Sequence, residues 1–286
     1  MRVAVSVDRL IFCGPISCHE GDRWRIMKHE VTRVAETKKI IKCNTDTGFL
    51  KLIAIITMTI DHVGAVIFPD YQILRIIGRI AFPIFAYCIA VGCIYTKNIG
   101  KYALRVLLLA ILIQPLYVTA MNHQTRLAFD WAHNFFRIDL ILQHYYLDKR
   151  LAIHFTLFMG ILLIWTLRDK KYIATAVVFA VYWYLQSWLD YGMYGVYLIV
   201  LFWALIDRPL TSLFWVAAYM VWYGLPTLRT KLWPMTNVRV YVQIYALMAL
   251  PLIYIPMNTK IKVNKWVFYL FYPAHMAVIY LLSMPK

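Results

Sequence analysis

From Phe49 onward the chain is a succession of apolar runs, at about 49–68, 72–95, 102–121, 151–167, 172–189, 191–206, 210–228, 238–257 and 266–284. Each is near the roughly 20 residues that an α-helix needs to cross the hydrocarbon of a bilayer. The runs predict an all-α fold, a polytopic transmembrane helical bundle of about nine spans. The fourth and sixth are short for a full crossing, which puts the count between eight and ten. Composition points the same way: 62% of residues are hydrophobic and 15% charged, below the usual share of charge in a soluble domain. A soluble core does not need so much apolar side chain.

A net charge of +16 invites a nucleic-acid reading, but the placement of the charge argues against it. Nine of the 30 Lys and Arg precede residue 48, and most of the others sit in short connections between apolar runs. That is the positive-inside pattern, with contact to anionic headgroups as a by-product. A nucleic-acid surface needs clustered Lys and Arg interleaved with stacking residues on one soluble face. The expected partner is therefore the lipid bilayer, with no nucleic acid. The basic head and the turns without Lys or Arg at Pro69-Asp70 and Asp190 set the orientation, with the N-terminus cytoplasmic and the C-terminus outside.

Residues 1–46 have no sustained periodicity and read as a polar, basic, disordered extension to a membrane domain at 47–286. Leu10 to Ile16, broken by Gly14 and Pro15, is too short for the apolar region of a signal peptide. Met27 opens a more ordinary basic leader, which reads Met1 to Ile26 as an over-extended gene start. Cys88 and Cys93 lie in a span, where a thiol acts as a small apolar group. Cys13, Cys18 and His19 lack a second ligand pair at zinc spacing, so neither a disulfide nor a metal is expected. The long connection from Asn122 to Arg150 holds too many ionisable groups for a lipid-facing span and is expected at the interface or over a cavity.

An ionised side chain at the centre of a span costs about 2.5–3.5 kcal/mol on insertion scales, so it needs a partner or a wet cavity. Asp61 and His62 stand in the first run and Arg79 in the second, with Lys51 and Arg75 nearer the ends. Counting from a turn at Pro69-Asp70 puts His62 and Arg79 at nearly the same depth in an antiparallel hairpin. Asp61, about 100° round the helix from His62, can pair with Arg79 while the imidazole faces a cavity. The same residues also fit a purely structural Asp–Arg staple with His62 as a polar plug. Lys51 and His62, eleven residues apart, share a helix face about 16 Å apart along the axis, an arrangement suited to an anion site at the mouth and a base at mid-depth. Lys51 alone fits snorkelling to headgroups equally well. His275, midway along the last run, is expected near the depth of His62; His154 lies only a few residues inside its own run.

The stretches LKLIAIITMTIDH, LRIIGRIAFPIFAY, HFTLFMGILL, DYGMYGVYLIV and FYLFYPAHMAVIYLL, in this order, resemble the TraX family of membrane proteins, which acetylate the N-terminus of pilin in conjugation systems, and its fimbrial relatives. The resemblance runs from about Phe49 to Leu282. It falls on Asp61, His62, Gly78, Arg79, Phe82, Pro83, Tyr191, Gly192, Gly195, Tyr272, Pro273 and His275. Where family members have Asn before Phe-Thr-Leu, this chain has Ala152 and His154, and no role follows for His154. The first run is also similar to wider membrane acyltransferases in which ten residues separate an Arg from a His, Lys51 standing in the Arg position.

What the resemblance implies is a bacterial inner-membrane acetyltransferase that moves acetyl from acetyl-CoA to the amine of a pilin or fimbrial subunit. In that scheme His62 is the general base, Asp61 balances charge, and Arg79 or His275 stabilises the oxyanion. Lys51 and Arg75 are the candidate cofactor-binding cations for acetyl-CoA. A glycan O-acetyltransferase shares donor and histidine but uses a hydroxyl acceptor. A proton-coupled transporter would use Asp61, His62 and Arg79 as a relay.

Overall fold

The computed structural model describes residues 41, 43–121, 138–147, 150–230, 238–259, 261 and 263–283, all within one unit at 40–286. The expectations for the N-terminal extension, for Cys13, Cys18 and His19, and for most of the 122–150 connection lie outside these residues. The described residues are helical, with no strand and one isolated bridge. Three stretches, Thr47–Val66, Gln72–Tyr95 and Ile99–Met121, are long and apolar enough to cross a membrane, and shorter apolar helices follow. The chain is thus an all-helical membrane protein.

Helix α1 (Thr47–Val66) starts at Asp46, whose carboxylate accepts from the Phe49 amide at 3.1 Å. Its other oxygen accepts from the Thr259 hydroxyl at 2.6 Å and amide at 2.8 Å, and these bonds hold the Asp46 carboxyl below its usual range. The start of α1 is thereby tied to the loop that precedes the last helix. At its far end α1 turns through Pro69 and Asp70 into α2 (Gln72–Gly78), on which it packs.

The run 72–95, read from sequence as one span, is two helices. α2 ends at Gly78 and α3 (Ala81–Tyr95) begins three residues later. Pro83 is the physical reason: it has no N–H to donate to the Arg79 carbonyl, and its ring crowds that oxygen. The amides of Arg79 and Ile80 instead close tight turns on Ile76 and Ile77, at 3.2 and 3.3 Å. Arg79 therefore sits at the break, where its Nε donates to the Arg75 carbonyl at 3.2 Å.

Proline acts again in α4 (Ile99–Met121), where Pro115 leaves the Ile111 carbonyl without its helical partner. The Tyr146 hydroxyl donates to that carbonyl at 2.7 Å, which docks the segment of α5 (Ile138–Leu142) and its following π turn on α4. Beside it the fully buried Gln114 donates to the carbonyls of Tyr145 (2.8 Å) and Arg150 (3.1 Å) and accepts from the Ala152 amide (2.8 Å). One amide side chain thus fixes the entry into α6 (Ile153–Arg168).

The Leu151 amide then donates to the Trp188 carbonyl at 2.7 Å, part of a single parallel bridge to Leu189. This joins the start of α6 to the turn between α7 (Tyr172–Leu185) and α8 (Gly192–Ala204). Gly192 closes that turn with φ +44°, a conformation that side chains disfavour, and its carbonyl accepts from the Tyr182 hydroxyl. After α9 (Pro209–Thr230), the predicted run 238–257 is a 3₁₀ helix, Val238–Ala249, that becomes α-helical only in α10 (Leu250–Tyr254). Ile255 is extended, as the residue before Pro256 should be. The last helix, α11 (Lys265–Leu282), packs on α4 and α1 and so carries His275 toward His62.

Candidate active site

Asp61 is held by two guanidinium groups. Arg75 Nη1 donates to Oδ2 at 2.6 Å and to the Asp61 carbonyl at 3.0 Å, and Arg79 Nη2 donates to Oδ1. Arg75 and Arg79 are four residues apart and share one face of the α2 end, so both reach the same carboxylate. Asp61 and Arg79 expose only 13% and 14% of their side chains, so water does little to screen the pair.

Gly78 allows this approach. A Cβ there would lie 2.2 Å from both Cβ and Oδ1 of Asp61, closer than real carbon atoms come. Gly78→Ala is expected to force α1 and α2 apart and destabilise the protein by about 1–3 kcal/mol, the usual cost of overpacking. Thermal unfolding in detergent measures it; an unchanged midpoint would show that the hairpin can shift without loss.

The second element is a pair of imidazoles. His62 Nδ1 lies 3.0 Å from His275 Nε2, and His275 Nδ1 lies 3.0 Å from the Phe271 carbonyl. The ring planes differ by 6° with centroids 5.2 Å apart. With a 3.0 Å N–N contact this is an edge-to-edge meeting in one plane, the geometry of an N–H···N bond and not of a face stack. The protons can be assigned from the chemistry. A carbonyl only accepts, so His275 Nδ1 carries a hydrogen; for two neutral rings, His275 Nε2 is then the acceptor and His62 Nδ1 the donor. That leaves the basic lone pair of His62 on Nε2.

Tyr272 stands perpendicular to His62, His154 and His275, with centroid distances of 6.1, 4.3 and 4.9 Å. Its hydroxyl, His154 Nδ1 and the Thr156 hydroxyl are buried without a hydrogen-bond partner among the described residues.

Asp61, His62, Arg75, Arg79, Arg150 and Asp190 line one cavity of about 270 Å³. Its aromatic walls include Phe82, Tyr191, Tyr223 and Tyr272, with Phe82 and Tyr191 stacked at 3.8 Å. A second cavity of about 210 Å³ shares Arg75, Arg79 and Gln243 with the first and reaches Pro69 and Gln72, near the turn that ends the hairpin.

The structure brings together Asp61, His62, Arg75, Arg79 and His275 but sets Lys51 apart. The Lys51 ammonium lies over the Phe268 ring at 5.7 Å and does not line the cavity. Arg75, the other candidate cation for acetyl-CoA, is bound to Asp61, near the opposite end of the hairpin. His62 also lies closer to the end of α1 than to its middle, four residues before Val66. His275, expected as an oxyanion donor, uses both ring nitrogens on His62 and Phe271.

Sequence reasoning gave no site role to Gln114, Arg150, Asp190 or His154. Gln114 was detectable as a polar residue inside an apolar run, and Asp190 as a lone acid beside a Tyr-Gly step.

An all-helical membrane domain with a doubly bridged carboxylate and a bonded imidazole pair around one cavity defines a polytopic membrane protein with a polar, histidine-bearing interior. Residues 46–283 match the TraX protein family, and the chain belongs to that family. It is 26% identical to the probable fimbrial assembly protein FimC, serogroup H1, of Dichelobacter nodosus over 242 residues, 80% of this chain and 92% of that one. It is 55% identical to an uncharacterized protein of Rickettsia prowazekii (strain Madrid E) over 38 residues, 13% of this chain and 15% of that one. No solved structure matches it.

Proposed function

We propose that this protein is an inner-membrane acetyltransferase that moves acetyl from acetyl-CoA to the N-terminal amine of a pilin or fimbrial subunit, with its own N-terminus cytoplasmic. The observation that carries the reading is the Phe271 carbonyl–His275–His62 chain, which leaves His62 Nε2 basic beside a cavity lined by arginines. The fimbrial assembly role in the name of the Dichelobacter relative supports the acceptor class.

The acceptor enters as an ammonium ion and gives up one proton to water inside the cavity, and its lone pair then attacks the thioester carbonyl carbon. As the C–N bond forms, the carbonyl electrons move onto oxygen. The N–H groups of Arg75 and Arg79 not spent on Asp61 stabilise that oxyanion. His62 Nε2 takes one of the two protons on the attacking nitrogen, the other staying as the amide N–H, and the positive charge is shared through Nδ1–H with His275, which acts as a positioning residue. The carbonyl re-forms, the C–S bond breaks, and the departing thiolate takes the proton from His62. No covalent enzyme intermediate is needed, because the thioester is already activated.

The cavity volume suits the acetyl end of the cosubstrate and not its nucleotide, so the phosphates must bind elsewhere. Lys51, about 16 Å back along α1 from His62 by helical rise, is the proposed contact for them. Purified protein in lipid nanodiscs, given labelled acetyl-CoA and a pilin peptide, is expected to place the label on the peptide's N-terminal nitrogen, read by fragment mass. An unlabelled peptide together with an unmodified pilin in cells expressing the protein would reject the reading.

A further inference from the structure

Asp190 is a carboxylate of the cavity that the acetyl-transfer scheme above does not use. Its neighbours hold it firmly. The Leu151–Trp188 bond joins the chain just before it to α6, Leu189 is buried, and the Gly192 amide donates to the Leu189 carbonyl at 3.2 Å. On its other side Tyr191 is stacked on Phe82. The carboxylate lines the cavity with His62, and among the described residues no hydrogen bond or ion pair engages it. Asp61 differs in this respect, since both of its oxygens are taken by arginine.

We propose that Asp190 binds the acceptor nitrogen and makes primary amines, in preference to hydroxyls, the substrate class of this site. This deepens the acetyl-transfer reading and rests on it. The cavity is lined by three arginines and two aspartates, so without Asp190 a cationic acceptor would meet a strongly positive wall. An amine arrives as an ammonium ion and needs an anion to enter. The same carboxylate acts later as well. When the neutral amine attacks, its nitrogen becomes positive before His62 takes the proton, and Asp190 stabilises that charge while the arginines hold the oxyanion. A hydroxyl attacking under general-base catalysis loses its proton as the bond forms and gains much less from the carboxylate. Atoms and charge balance as before: the amine and acetyl thioester give an amide and a thiol, and Asp190 ends unchanged.

The test uses the full-length protein in nanodiscs with labelled acetyl-CoA and two peptides of one sequence. One begins with an α-amine and the other with an α-hydroxyl in its place. The wild type is expected to favour the amine. In Asp190→Asn, kcat/KM for the amine peptide should fall roughly 10- to 100-fold, the range for one charge-assisted bond, with little change for the hydroxyl peptide. Retained transfer to the hydroxyl peptide also proves the variant folded, and Asp190→Glu should keep the amine preference. An equal loss on both peptides, or none on either, would assign Asp190 to charge balance among the arginines and overturn the proposal. A wild type that prefers the hydroxyl also overturns it. If the wild type labels neither peptide, the transferase reading fails, and this inference goes with it.

Discussion

Asp61→Ala is expected to be the most damaging single substitution in the membrane domain, lowering stability by about 3–5 kcal/mol, the range for removing one partner of a buried ion pair. Two guanidinium groups converge on this carboxylate, and Arg79 exposes only 14% of its side chain. With the anion gone, two positive charges face each other in a space where water reaches poorly, and Asp190 is the one carboxylate left lining the cavity among the described residues. Asp61→Asn should recover part of the loss, since its carbonyl can still accept from one arginine. Replacing Arg79 by methionine in the Asp61→Ala background should also recover some stability, because it removes a stranded charge. Thermal unfolding in a single detergent compares the four proteins. An Asp61→Ala midpoint equal to the wild type would mean that the arginines find other anions, and the staple would be dispensable.

His62→Ala is expected to cut acetyl transfer by roughly 100- to 10,000-fold while leaving the protein folded, the usual range for loss of a general base. The imidazole is buried, but its partner is one neutral ring, so its removal strands no charge. His275→Ala should cost less in kcat, because His62 keeps its Nε2 lone pair and loses only the group that orients it and shares its charge. Single-turnover rates with labelled acetyl-CoA separate this chemical step from binding. Transfer undiminished in His62→Ala would remove the base from the mechanism.

Depth counting along an antiparallel hairpin was enough to bring Asp61, His62 and Arg79 together, because helical rise fixes which residues face each other across a short turn. The second arginine was legible on the same grounds: Arg75 and Arg79 are four apart, and what reaches Asp61 from one reaches it from the other. Proline adds a break that counting leaves out, although Arg79 still meets Asp61. Pro83 splits the predicted run 72–95 and turns Arg79 at the break. What sequence does not disclose is contact between distant segments. Arg150 and Asp190 come to one cavity because Gln114 clamps the chain before α6 and the Leu151–Trp188 bond adds the turn before α8. Neither link follows from local periodicity. His154, a few residues inside its run, carried no assigned role in the sequence, and only the fold puts its ring against Tyr272.

The position of His62 near the end of α1 limits what an acceptor can look like. Four residues separate it from Val66, about 6 Å of helix, roughly one turn below the rim of the hairpin. An extended chain covers that distance with two residues at about 3.3–3.6 Å each. A subunit whose terminus is tucked against its own folded body would stop at the rim. One that trails even a short loose end would reach the imidazole, so on the proposed acetyl-transfer reading accessibility of the tail, before any recognition of sequence, sorts the acceptors.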